Sequence, residues 1–136
     1  MVLINKNNMK ANKKILDDFG RILVNNILDR YYIGIKKEII NGCKNPTTQK
    51  FNKIFDMLDD ETKLLLGEYI FENIASVVFD ILGIFEEHQK YKIIYEEDGQ
   101  QVDLNKISEM LKAEPIIENG WIQRFSRELK GGFSSY

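Results

Sequence analysis

From about Asn12 to Ile40 apolar residues recur at three- and four-residue spacing, the pattern of a helix with a buried face. Ile15, Leu16, Phe19, Ile22, Leu23 and Ile27 form one row, and Val24, Leu28, Tyr31, Ile35 and Ile39 form a second on the other side. A helix apolar on two sides needs two neighbours, either other helices of its own chain or one of them in a second subunit. Asn41-Gly42 predicts its end, because glycine tolerates the left-handed turn that closes helices. Asn45-Pro46 then predicts a cap and a first helical proline, followed by a short helix with Phe51, Ile54, Phe55 and Leu58 on one side.

Asp59 or Asp60 is placed to cap a third helix, from about Glu61 to Gln89, with Glu61 near its positive end. On a wheel its apolar residues, from Leu66 to Phe85, fill roughly half the circumference, which predicts the centre of the core. Gly67 and Gly83 inside it predict close packing or a bend.

The pattern then changes. Two extended runs flank Asp98-Gly99, a pair suited to a tight hairpin turn of positive φ. Asn105 is expected to cap a short helix through about Ala113, ended by Pro115, and Trp121 and Phe125 to close the core. The predicted fold is mainly α: a bundle of three to four helices with one small β-hairpin near residues 91–104. Residues 1–136 read as a single domain, with 1–11 and 131–136 flexible.

Composition narrows the function classes. A hydrophobic fraction of 43% with 29% charged residues is that of a globular chain. The lone Cys43 excludes an internal disulfide and fits a reducing cytoplasm. The apolar run Val2-Leu3-Ile4 is too short for a secretory signal. The span from Leu64 to Phe85 is broken by Glu68, Glu72, Asn73 and Asp80, so no membrane segment is expected.

The catalytic vocabulary is thin. The single histidine, His88, sits among Glu86, Glu87 and Gln89 at a helix end, where the dipole favours an imidazolium. No serine or cysteine stands in a nucleophile's context. The spacings of zinc, di-iron and calcium sites and of phosphate-cradling loops are missing, and no cofactor is expected. Glu68 and Glu72 share a helix face, but any long surface helix places two glutamates this way. No catalytic and no metal-ligating residue is assigned.

Charge is unevenly spread around a net of −2. Residues 1–54 carry 11 Lys/Arg against 4 Asp/Glu, and residues 55–123 carry 5 against 16. The acidic part includes a one-sided row, Glu68, Glu72, Asp80 and Glu87, extended by Glu96, Glu97 and Asp98 at the hairpin tip. These seven are the candidate partner-binding residues, since a field of one sign speeds capture of a basic partner. The rival reading is a small nucleic-acid-associated regulator using Lys13, Lys14 and Arg21 of the first helix. A third is a structural homodimer built on the two-faced first helix.

Near the C-terminus, Ser108-x-x-Leu111-x-x-Glu114 precedes Glu118-Asn-Gly-Trp121-Ile-x-Arg124-Phe-Ser126. This stretch resembles the ending of small uncharacterised bacterial proteins of the toxin-immunity type. The resemblance implies a compact helical protein whose partner is a toxin domain, and it carries over no catalytic role. Together these readings favour a non-enzymatic protein-binding module, an immunity protein that masks a basic toxin site with carboxylates. From its position, Arg124 is expected to pair with a carboxylate of the acidic helix.

Overall fold

The computed structural model describes residues 6–129, with side chains from residue 11 onward. Of the ends expected to be loose, 1–5 and 131–136 lie outside the described residues, whereas 6–11 form the start of a helix.

Helix starts earlier than the apolar pattern does. α1 (Lys6–Leu23), a π-helical turn (Val24–Leu28) and α2 (Asp29–Asn41) run on without a break. The π turn explains why one row of side chains stays inward for so long. Leu16, Gly20, Val24, Leu28 and Tyr32 are all buried at four-residue spacing. In an α-helix each such step drifts about 40° round the axis, so five residues would swing through about 160°. The Asp29 N–H instead reaches back to the Val24 carbonyl, a five-residue closure that inserts one extra residue and returns the row to its face. That re-phasing leaves Tyr31 exposed and turns Tyr32 inward in its place; Ile22 and Ile27 are exposed as well.

The two neighbours that the two-faced helix needs come from its own chain. α4 (Asp60–Glu87) packs against α2, and the C-terminal elements pack against α1. Gly42 closes α2 at φ 92°, and its N–H reaches the Glu38 carbonyl at 2.7 Å. The predicted second helix is reduced to a 3-10 turn (Gln49–Phe51) and the single-turn α3 (Asn52–Phe55), with Phe51 and Ile54 exposed. Asn45 accepts hydrogen bonds from the Thr47 N–H and hydroxyl, which spends its side chain on a turn. Asn52 pins this segment by bonding both the N–H and the carbonyl of the buried Cys43.

Asp59 caps α4, accepting from the Thr62 N–H at 2.8 Å. The antiparallel pair β1 (Ile94–Glu97) and β2 (Gln100–Asp103) turns through Asp98 and Gly99, both at positive φ as a two-residue hairpin loop requires. The cap of α5 (Leu104–Ile107) is Asp103, not Asn105. Asn105 instead donates its amide to the Phe85 carbonyl, tying α5 to the end of α4. A 3-10 turn (Leu111–Ala113) and α6 (Trp121–Phe125) follow, so the helix expected through Ala113 is broken after Ile107.

Trp121 is fully buried and seats its ring on Gly20, with the Phe19 ring edge-on at 5.7 Å. The chain is then clipped back to the π turn. The buried Asp29 carboxylate accepts from the Ser126 hydroxyl at 2.6 Å and from the Arg127 N–H at 2.9 Å. Arg124 does not reach the acidic helix; it pairs with Asp17 of α1 at 2.9 Å. No helix among the described residues is long and apolar enough to cross a membrane.

Candidate interaction face

α4 has more apolar surface than the fold covers. Its buried seam is Gly67, Phe71, Ala75 and Leu82, with Val78 half-buried beside it. The small residues let neighbours approach: a Cβ at Gly67 would touch Lys36 and Ile39 of α2. At about 100° per residue these positions occupy one arc, and Ile70, Ile74, Val77, Ile81 and Ile84 occupy a second centred about 100° away. In that second arc Val77 is 55% exposed, Ile81 50% and Ile84 44%, whereas the adjoining Leu82 is 3% exposed. The sequence pattern assigns both arcs to the core. α2 and the Leu111–Ala113 turn cover the first, and the second is covered only in part: Ile74 packs on the core and Ile70 is half-buried, while Val77, Ile81 and Ile84 stay open.

Carboxylates border the exposed arc. Asp80 and Glu87 are exposed along its edge. Behind Asp80, a shallow groove of about 450 Å³ is lined by Glu72, Ala75, Ser76, Phe79, Asp80 and Ile116. Glu72 and Asp80, about two turns apart along α4, therefore share the groove with Phe79 of α4 and Ile116 of the loop before α6. Glu86 serves structure instead: it accepts from the Lys112 N–H at 2.9 Å.

The structure brings together only part of the acidic set read from the sequence. Glu72, Asp80 and Glu87 share the outward side of α4. Glu68 turns toward α2, where its charge, after burial, helps hold the Tyr32 hydroxyl above its ordinary pKa. Glu96, Glu97 and Asp98 sit on the hairpin, and the charge of Glu97 is felt at Lys14 of α1.

The basic candidates are interleaved with acids. Lys14 and Arg21 both contact Asp18, at 2.5 and 3.3 Å. The Lys14 hydrogen bond holds Asp18 below the usual carboxylate range, and Asp18 in turn raises Lys14. The Arg21 guanidinium lies over the Phe125 ring at 4.6 Å. Lys13 lines a cleft that also holds Asp17 and Glu114. Among the described residues no three His, Cys, Asp or Glu side chains gather as metal ligands would.

Sequence reasoning missed the exposed Ile/Val arc, whose residues are indistinguishable by type from core residues. The available signal was width: an apolar arc of half a helix exceeds what one packed neighbour covers. Compared with known proteins, the chain matches no family model, no curated protein and no solved structure.

Proposed function

We propose that this chain is a non-enzymatic protein-binding module that presents the outward side of α4 to a basic protein surface. At finer grain, it neutralises a toxin by covering a basic active site with carboxylates, acting in the cytoplasm. The observation that carries this reading is the groove lined by Glu72, Phe79, Asp80 and Ile116 beside exposed Val77, Ile81 and Ile84. An apolar centre with a charged rim is the anatomy of protein interfaces. The carboxylates steer a basic partner and set its register. The immunity-type ending and the single buried thiol, Cys43, agree with the finer reading. The nucleic-acid reading loses ground because Lys14 and Arg21 share one carboxylate and offer phosphates little net charge.

The test is capture from a native-host lysate by the wild-type chain and by Glu72→Lys/Asp80→Lys, with the partner identified by mass spectrometry. The reading expects a basic partner that the double variant fails to hold. It also expects that partner to arrest growth when expressed alone, with growth restored by the wild-type chain and not by the variant. Equal capture by both chains would remove the acidic groove from the account.

A further inference from the structure

The exposed arc of α4 has an order beyond its exposure. Ile70, Ile74, Val77, Ile81 and Ile84 are spaced four, three, four and three residues apart. This is the heptad seam by which one helix accepts another, and every member is β-branched. A shallow apolar depression on this face is lined by Ile70, Asn73, Ile74 and Val77, together with Tyr69 and Val78. The first four are residues i, i+3, i+4 and i+7, the diamond that receives one knob of a facing helix. Among the described residues the fully buried positions of α4 lie on the other arc, and Ile74 at the floor of the depression packs on the core from behind.

We propose that this seam docks an amphipathic helix of the partner protein, packed knobs-into-holes, whose flanking positions on one side are basic. The inference rests on the protein-binding reading above and states what the partner brings. The charge argument comes from the edges of the seam. One edge carries Asn73, Asp80 and Glu87 at successive heptad positions. The other carries Phe71, Val78 and Phe85, which turn toward the chain's own core. Lysines or arginines on the incoming helix meet the first edge. A second copy of this chain fits poorly in either direction. Antiparallel pairing sets Asp80 and Glu87 against their own images. Parallel pairing sets them against the partner's Val78 and Phe85 edge, which its own core already occupies.

The probe is a synthetic stapled helix of about three heptads, with leucine at the seam positions and lysine at the flanks, compared with a twin carrying glutamate at the flanks. Fluorescence anisotropy at low salt is expected to show the lysine helix binding about tenfold or more tighter than its twin. Ile81→Lys is expected to weaken the lysine helix about tenfold. Asp80→Lys/Glu87→Lys is expected to reverse the preference between the twins. Ile54→Lys, on another exposed apolar residue, leaves binding unchanged, and circular dichroism confirms that each variant is folded. Equal binding of the twins, no binding of either, or wild-type binding by Ile81→Lys overturns the proposal. A dimer in sedimentation that Ile81→Lys dissociates also overturns it, by giving the seam to a second copy. Should Glu72→Lys/Asp80→Lys lose the native partner while Ile81→Lys keeps it, the protein-binding reading stands and the docked helix falls. Should the lysine helix bind as described while no toxic partner exists, the seam stands and the toxin reading falls.

Discussion

Replacing Gly20 by alanine probes the joint that fixes the C-terminal segment on the long N-terminal helix. A Cβ at Gly20 would stand 2.4 Å from Cγ and Cδ2 of Trp121, a side chain with no exposed surface. Ordinary carbon contacts begin near about 3.5 Å, so the ring must retreat by about 1 Å. It has little room, since it is walled by Phe19 and the surrounding core. Overpacking of this kind costs about 1–3 kcal/mol, and a rigid, fully buried ring sets the upper end. Against that, alanine gains about 1 kcal/mol over glycine inside a helix. The net loss is about 2 kcal/mol, or roughly 6 °C in Tm for a domain of this size. Gly34 supplies the control on the same continuous helix: a Cβ there meets nothing within 4 Å. Gly34→Ala should therefore raise Tm by about 3 °C from propensity alone. Differential scanning calorimetry separates the two, and the fluorescence of the single tryptophan reports whether its ring has moved. A Gly20→Ala protein that gains stability as Gly34→Ala does, with unchanged emission, would refute the packing argument.

Adjacent residues of α4 should respond oppositely to truncation. Leu82→Ala should cost about 2–5 kcal/mol and Ile81→Ala no more than about 1 kcal/mol in urea unfolding, and equal costs would place both in the core. Asp29→Ala should cost about 1–3 kcal/mol, because it strips the Ser126 hydroxyl and the Arg127 N–H of their acceptor, and hydrogen exchange at Arg127 should accelerate. The bonds from Thr62 hold Asp59 below its ordinary pKa. The resulting stability is fully present above the unfolded carboxylate value of about 3.9 and is lost as pH falls through the lower folded value. Asp59→Asn keeps an acceptor without titrating, so its Tm should fall less than wild type on acidification; parallel curves would assign the acid loss elsewhere.

Much of the fold was legible because local chemistry decides it. Gly42 had to end a helix, Asp59 had to begin one, and Asp98-Gly99 had to turn, since each answers a backbone need within a few residues. The π turn was not legible: no residue type in Val24–Leu28 demands it, and it arises from the pull of a distant core on one row of side chains. The cap expected at Asn105 fell to Asp103 for a similar reason, because the Phe85 carbonyl, from another element, claimed the Asn105 amide. At the candidate site the carboxylates of α4 were visible as a row. The seam beside them was not, because Ile81 and Leu82 look alike until the neighbours of α4 are known. The hairpin acids joined the same candidate set by charge alone, and only the fold shows that one of them, Glu97, acts on Lys14 of α1.

The central claim is that the Ile/Val seam of α4 is an open surface in the free protein and is covered by a partner. Single cysteines at 77, 81 and 82 in a Cys43→Ser background, labelled with a thiol reagent with and without the captured partner, measure this directly. The account predicts fast labelling at 77 and 81, slow labelling at 82, and protection of the first two when the partner is bound. Labelling at 81 as slow as at 82 in the free chain, or undiminished in the complex, would contradict it.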